Sequence, residues 1–436
     1  MATEMKDLHY DTSYLENFSG RRGEPDWFLD LRKKGLELAQ TLPLPKPEKT
    51  RIIGWNFTQF EHELPTRTVD AVADLPENVR SLIGQGEQSG NLLVLHNGST
   101  AYATLSEDLK AKGVIFTDLA TALRDHGDLV KKYYFSKAAK LDAHKLTALN
   151  AALVNSGLFL YVPKNVDIEV PLQVVFWLDH DNGGLINHVI IATEANSSVT
   201  YVENYLSTTN SGQAVANIIT EVYVGENARV QFGGVEYLSS DVTTFINRRG
   251  YVGRDGNLQW ALGQMNDGDL ITETYSELAG DGSSVDTKAV SIGRGTQKQN
   301  FVNRIKHYGK NSTSNMLIHG VQREEAQAIF NGITKIEHGA SKSDGEQTQR
   351  VLMLSSKARG DANPILLIDE DDVVAGHAAS VGRIDPIQLY YLMSRGIPKN
   401  EAERLIIHGF LEPVVSQLPI EGVKEQLAAV IEGKVQ

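Results

Sequence analysis

Hydrophobic and polar positions along this chain change their period twice. Up to about residue 156 apolar residues recur mainly at helical spacing. From Gly157 they alternate with polar ones, and after Ile384 the helical spacing returns. The first helical stretch, Glu24–Gln40, carries Pro25 in its first turn and sets Phe28, Leu31 and Leu38 near one face, with Leu42 just beyond. Pro43-Leu44-Pro45-Lys46-Pro47 ends it, because successive prolines cannot continue a helix, and predicts a semi-rigid extended spacer. Trp55-Asn56-Phe57-Thr58-Gln59-Phe60 follows, an aromatic group that reads as the packing of a small core rather than a ligand platform. Short strands are predicted at Leu92–Leu95 and Ala101–Leu105, and helices at Asp118–Tyr134 and Asp142–Val154.

In the alternating region, turn-forming residues recur before apolar–polar–apolar triplets. Examples are Asn196-Ser197-Ser198-Val199, Glu226-Asn227-Ala228-Arg229-Val230, Asp255-Gly256-Asn257-Leu258 and Asp281-Gly282-Ser283-Ser284-Val285. Val199, Val230, Leu258 and Val285 follow one another at intervals of 31, 28 and 27 residues, and Lys310-Asn311-Ser312 continues the series less cleanly. Similar but unequal intervals in an all-β segment predict stacked coils with one continuous core, a parallel β-helix. A β-sandwich also places turn signals at strand spacing and stays open as the alternative. After Ile384, Asp385-Pro386 predicts an N-cap and first turn, with Ile387, Tyr390, Tyr391 and Ser394 leading to a stop at Gly396. Pro398 opens a second helix over Asn400–Val415, with Ala402, Leu405, Ile406 and Phe410 on one stripe, and a third runs from Ile420 to about Ile431. These helices either cap the β-coils or offer an apolar stripe to a partner. The division predicted is 1–156 α-rich, 157–384 β-helix and 385–436 helical.

Composition narrows the function. The chain has 436 residues, enough for several cores at roughly 100–200 residues per domain. A net charge of -13, from 42 basic and 55 acidic side chains, argues against nucleic acid, whose phosphates demand a basic face. No apolar run approaches the ~18–20 residues of a spanning helix, so no membrane is expected. Met1-Ala2-Thr3-Glu4-Met5-Lys6-Asp7 lacks the apolar core of a secretory signal, and the expected location is the cytoplasm. There are no cysteines, so the chain supplies neither a thiolate nucleophile nor a thiolate ligand.

No catalytic constellation stands out. The phosphate-binding loop, Gly-x-Ser-x-Gly and His-Glu-x-x-His are all absent, and Asn210-Ser211-Gly212 reads as a polar turn. Asp369-Glu370-Asp371-Asp372 has carboxylates for a hard cation but no ordered ligand spacing, which favours a solvated turn. Among twelve histidines, His307, His319, His338 and His408 read as satisfied polar residues. His377 differs in context: Gly376-His377-Ala378-Ala379-Ser380-Val381-Gly382 surrounds it with small residues at the junction of the β-region and the helices. Residue by residue, a ligand role and a structural role are evenly matched there.

Three segments together carry a resemblance. They are Gly157-Leu158-Phe159-Leu160-Tyr161-Val162-Pro163-Lys164-Asn165-Val166 with Glu169 and Pro171-Leu172-Gln173; Asp371 through Asp385; and Tyr390-Tyr391-Leu392-Met393-Ser394-Arg395-Gly396-Ile397 leading into Ala402–Phe410. In their order and spacing they resemble the SufB/SufD family of iron–sulfur cluster assembly proteins. Glu24-Pro25-Asp26-Trp27, Leu42-Pro43-Leu44-Pro45 and Trp55-Asn56-Phe57 resemble its SufD branch of the Gram-positive type, and the lack of cysteine fits SufD better than SufB. The resemblance implies a mainly β fold, a right-handed parallel β-helix core flanked by α-helical N- and C-terminal regions. It also implies a complex of SufB, SufD and two copies of the ATPase SufC. His377 matches the family histidine at the SufB–SufD interface, where a transient iron–sulfur cluster would be built and the imidazole could ligate iron or hydrogen-bond a sulfide, with thiolates from SufB. Some SufD members carry a cysteine just before that histidine; here Val374-Ala375-Gly376 stands instead. One SufC would dock on the C-terminal helices near Tyr391, Arg395, Leu405 and Phe410. No motif speaks for or against a flavin. The expected role is a non-catalytic scaffold subunit, against a free-standing β-helix enzyme acting on polysaccharide or a homo-oligomeric structural protein, such as a homodimer, pairing its β-ends. The polysaccharide reading needs carboxylates along the coils, where Gln, Thr, Ser and Asn predominate.

Overall fold

The computed structural model describes residues 9–83, 90–209, 212–418 and 420–435. The N-terminal Met1–Asp7 run and the Asn210-Ser211 part of the polar turn lie outside the described residues. Residues 156–383 wind into a parallel β-solenoid in which successive strands alternate between two walls. One wall takes every second strand from Leu172–Leu178 to Val374–Arg383, the other from Ser156–Val162 to Arg359–Ile368. Each strand pairs in parallel with the strand two places earlier, which settles the choice against a sandwich of antiparallel sheets.

The four apolar markers sit in direct register, Val199 on Val230, Val230 on Leu258 and Leu258 on Val285, and all are buried in the central core. Their recurrence follows from the corner before them. Asn165, Asn196, Asn227, Asp255 and Asn311 adopt positive φ, a left-handed conformation that most L-residues resist and Asn or Asp tolerate. The corner side chains also stack: Asn227 donates to Asn196 at 2.9 Å, and Asn196 to Asn165 at 3.0 Å. One residue type thus makes both the bend and a bond between coils.

The N-terminal end of the solenoid is closed. Strand Leu92–His96 extends the first wall in parallel and turns back antiparallel into Ser99–Thr104, while Ile115–Asp118 pairs antiparallel with Ser156–Val162. The helix expected over Asp118–Tyr134 is two, Leu119–Asp125 and Gly127–Tyr133, broken at His126, whose φ of -135° and ψ of 30° leave helical geometry. The next helix is shorter than expected, Lys145–Leu153, because His144 caps it by accepting from the Leu146 amide at 3.1 Å. Helix Asp26–Thr41 packs on it where Gly35 leaves room; a Cβ there would lie 2.8 Å from the Ala148 carbonyl. Beyond Thr41 the proline-rich segment forms a strap on the outside of the second wall. Asn56 donates to the Gln213 carbonyl, Asn300 to that of Glu48, and Lys49 to Asn363. Phe57 is buried against Phe245 and Ile271, as the packing reading of the aromatic group expects.

Helices Lys399–Val415 and Glu421–Val435 cover the outside of the first wall. Ile407, Leu411, Val414, Val423, Leu427 and Ile431 pack there on Val202, Ala261, Val290 and Val321. Gly233 and Gly263 permit the approach, since a Cβ at either would lie 2.5 Å from Val423 or Leu427. At the helix end the buried Lys434 ammonium bonds Asp267 at 2.7 Å. No described helix is long and apolar enough to cross a membrane.

The solenoid interior is not uniformly apolar. Glu203, Glu236 and Arg248 are fully buried, Arg248 pairing with Glu236 and lying 3.7 Å from Glu203, which also accepts from Tyr201 at 3.0 Å. Two carboxylates share one guanidinium. Burial pushes the Glu203 carboxyl up to about 7, against the opposing pull of Arg248 and the Tyr201 hydroxyl.

Two outcomes are expected. Leu258→Asp puts an unpaired carboxylate inside the stack, where no partner offsets several kcal/mol of desolvation, and the β signal in circular dichroism should be lost at 25 °C; a wild-type melt would contradict the stacking. Folded Glu203 keeps a proton that an unfolded carboxyl releases above pH 4.5. The folded state therefore binds more protons between about pH 4.5 and 7, and this group weakens folding as pH rises through that window. Glu203→Gln leaves Glu236 to pair with Arg248 and should flatten the fall in denaturant-measured stability; an unchanged slope would refute it.

Candidate functional site

The C-terminal end of the solenoid is built differently from the first. After Arg383, Asp385 accepts from the Ile387 amide at 2.8 Å and Pro386 sits in the first helical turn, so the chain leaves the coil for helix Pro386–Ser394. Among the described residues, strands Val374–Arg383 and Arg359–Ile368 therefore each have a neighbour on one side only. Both are ten residues long, and neither is covered by helix or hairpin among the described residues. A long edge with unpaired backbone groups is a template for another strand unless charge or a bulge blunts it. Here the last strand reads Val-Ala-Gly-His-Ala-Ala-Ser-Val-Gly-Arg, with its one formal charge at its end.

Apolar surface gathers at the same end. Leu367, Ile368, Val374 and Val381 stand exposed on the two terminal strands, followed by Ile387, Tyr390, Tyr391, Met393 and Leu405 on the helices. Elsewhere among the described residues only Ile53, Val170 and Tyr308 are large, apolar and exposed. Helix Pro386–Ser394, sequence PIQLYYLMS, buries none of its residues, and Ile387 is 76% exposed. Contiguous apolar surface of this kind marks a contact face.

His377 lies inside this end. Register places it directly over Gln347, which stacks in turn on Met316, Thr287 and Trp260. Trp260 and Met316 belong to the central core, so the column faces the lumen and His377 is its last member. The ring is exposed because no coil follows, not because it points away from the solenoid. Ala375 and Ala379 flank it on the inward face, which leaves the imidazole clear on both sides. Among the described residues no group hydrogen-bonds this ring.

The other histidines of the region are committed. His307 bonds Ser312 and Ser314, both at 2.8 Å, and burial lowers its pKa to about 4, so it is a neutral packing residue. His319 bonds the Phe410 carbonyl at 2.7 Å and stacks on its ring, with burial holding its pKa below the usual value. His408 meets Glu432 at 3.0 Å, and the exposed His338 lies 3.6 Å from Glu370. The acidic run is an ordered turn: Glu370 accepts from the Gly339 and Asp371 amides, and Asp372 pairs with Lys342 at 2.8 Å. Among the described residues no three His, Asp or Glu side chains converge as a metal site.

The residues expected at a helical docking face divide. Tyr391 and Arg395 are exposed and touch each other, the guanidinium lying over the ring at 5.2 Å from its centroid, and Leu405 also faces outward. Phe410 instead packs down on His319 and the first wall. Sequence reasoning missed Leu367, Ile368, Val374 and Val381 as surface. Pro364 was a usable signal, since proline within a parallel wall fits only an edge strand.

Comparison with known proteins agrees with this architecture. Residues 176–410 match the family profile described as "SUF system FeS cluster assembly, SufBD core domain", and residues 87–174 match "SufBD protein N-terminal region". The chain is 58% identical to the iron–sulfur cluster assembly protein SufD of Bacillus subtilis, over 98% of this chain and 99% of that one. Iron–sulfur cluster assembly SufBD family proteins of Staphylococcus aureus and Staphylococcus haemolyticus are 27% and 28% identical, over 93% of this chain and 89% of theirs. With a core profile spanning more than half its length and a relative this similar end to end, the chain belongs to the SufB/SufD family and is a component of iron–sulfur cluster assembly.

Proposed function

We propose that this chain is a scaffold subunit that pairs, through the open end of its solenoid, with a SufB-like partner in the cytoplasm. The observation that supports this best is a coincidence at one place. Among the described residues, unpaired strand edges, the main exposed apolar surface and an imidazole without a partner all meet there. A partner ending in the same kind of edge would satisfy the backbone groups and cover the apolar residues together.

The chemistry then falls to two chains. A nascent iron–sulfur cluster is cargo at this seam, and this chain has no cysteine to offer it. The thiolates would come from the partner, while the His377 imidazole would supply a nitrogen ligand to iron or a hydrogen bond to sulfide. The chain carries no phosphate-binding loop, so ATP hydrolysis would be the work of a SufC-like ATPase. We place that subunit on the outward residues Tyr391, Arg395 and Leu405, with Phe410 supporting the helix from beneath.

His377→Ala should still assemble with both partners and melt within a few degrees of wild type, the shift of roughly 1 kcal/mol in a protein this large. Iron–sulfur enzyme activities in cells relying on it should collapse. Full complementation would sink the assignment, as would a complex that fails to form. His319→Ala is the contrasting control, expected to lower stability by about 1–2 kcal/mol through its lost bond and stacking.

For the ATPase, truncation at Asp385 is a poor test, because it also strips the cover from Val202, Val290 and Val321. Tyr391→Asp combined with Leu405→Asp changes only exposed positions and should abolish co-purification of the ATPase while the fold persists. Undiminished capture would move the contact elsewhere. Elution of the wild-type chain solely as a homodimer, with neither partner captured, would favour self-pairing of the same edge.

A further inference from the structure

We infer that the solenoid encloses a file of bound water, and that this file carries protons between the buried Glu203–Glu236 pair and the open end of the lumen. The file lies within this chain alone and goes beyond the pairing proposed above without resting on it.

Two rows of buried polar side chains meet in the lumen. On the second wall Thr220, Arg248 and Thr274 are register neighbours in three successive coils. On the first wall Glu236, Gln264 and Ser291 are neighbours in the same way. None of the six is more than 2% exposed, and the rows join where Arg248 pairs with Glu236. Among the described residues, each of the six keeps a polar atom without a hydrogen-bond partner: the Thr220, Thr274 and Ser291 hydroxyls, Arg248 Nε and Nη1, Glu236 Oε2 and Gln264 Nε2. Glu203 Oε1 is a further one, 3.7 Å from the guanidinium. Buried groups of this kind are nearly always bonded, to protein or to ordered water, because leaving one bare costs its full desolvation. A whole stretch of lumen lined with them is a place for a ligand.

The chemistry of the set selects water. Guanidinium and amide nitrogens donate, carboxylate oxygens accept, and hydroxyls do both. An anion would meet two glutamates and a cation would meet Arg248, whereas water can bond every member. Neighbouring strands lie about 4.8 Å apart, too far for stacked hydroxyls to bond directly and right for one water between them. Past Thr274 the second-wall row continues through buried Asn303 to Gly332. Glycine there leaves space that the Gln347 and Gln349 carboxamides fill from the first wall; a Cβ would collide with both. Gln347 Nε2 is held on the Ile365 carbonyl at 3.0 Å, and its buried Oε1, without a hydrogen-bond partner, lies on the Gly332 side. That oxygen faces back along the file and offers its last water an acceptor. The other end holds a titratable pair. Burial pushes Glu203 up to about 7 and Glu236 above its ordinary value, with Arg248 opposing both and the Tyr201 and Tyr205 hydroxyls also facing Glu203. Carboxyls that keep a proton near neutral pH, joined to the open end by waters and hydroxyls, make a proton relay.

The test follows the Glu203 carboxyl proton in the full chain by infrared spectroscopy, as the protonated-carboxyl band that Glu203→Gln lacks. Between pH 4.5 and 7 the folded protein keeps that proton. On dilution into heavy water the band should shift far sooner than the backbone amides of the same coils exchange. Thr274→Val, equal in shape and without the hydroxyl, should slow the shift at least several-fold while those amides exchange as in wild type. Thr220→Val, on the far side of Arg248 from the open end, should leave the rate unchanged. The sign of the stability change decides hydration separately. In a dry lumen Thr274→Val removes an unsatisfied hydroxyl and should melt higher; in a hydrated one it loses water bonds and should melt at or below wild type. A band that shifts no faster than the amides, or equal slowing by Thr220→Val, would overturn the proton path. A higher melting temperature for Thr274→Val would overturn the water file itself, and that comparison still decides if Glu203→Gln does not fold. Failure to capture a SufB-like partner would touch none of these outcomes.

Discussion

A parallel solenoid must find partners for the backbone groups of its two terminal coils, and this constraint organises the molecule. Interior strands solve it automatically, because each coil is the partner of the next. At the N-terminal end the chain solves it internally, by folding Ser99–Thr104 and Ile115–Asp118 back in antiparallel pairing. At the C-terminal end the final coils keep an open side on both walls. The flanking helices are used elsewhere: two seal the first wall, and the proline strap lies along the second. Among the described residues, the lateral faces have cover from the chain itself, and the end does not.

The interior shows the same division of labour. Its early coils are filled by Leu, Val, Phe and Tyr, with Arg248 and two glutamates as a buried ionic group. Replacing such a group by apolar residues is often neutral or stabilising, so its presence is weak grounds for stability. Toward the open end the column shrinks or turns polar, from Leu258 and Val285 to Ser314, Gly345 and Ala375, and from Trp260 to Gln347 and His377. Small and polar residues give up packing energy. They also leave space and hydrogen-bonding capacity around a ring that a larger core would bury.

Much of the fold was legible because one local rule repeats. A left-handed Asn or Asp corner fixes the phase of the apolar residues after it, and Val199, Val230, Leu258 and Val285 carry that phase without long-range information. Helix Thr12–Arg22 escaped notice because it buries only Leu15, Phe18 and Ser19 in an otherwise polar stretch. The break at His126 escaped for the opposite reason, since apolar spacing continues through Leu129 and Val130 while the backbone does not. At the site, small neighbours singled out His377, but its inward direction depends on pairing with Gln347 thirty positions earlier. The outward turn of Leu405 and the inward turn of Phe410 likewise depend on which face the first wall takes.

On the pairing proposed above, a chain with a histidine but no cysteine at its open end would supply half of a site. Cluster building needs ligands that can be assembled and then released. Division across such a seam would tie ligation to the contact between two subunits. Any movement that separated or rotated edges paired in this way would change the ligand set without breaking a core. The exposed helix Pro386–Ser394 follows the last strand directly, with Ile384 and Asp385 between them. A force applied to its apolar side chains would therefore reach Val374–Arg383 through two residues. On this arrangement, an ATPase docked on the helices has a short mechanical route to the strand that carries His377.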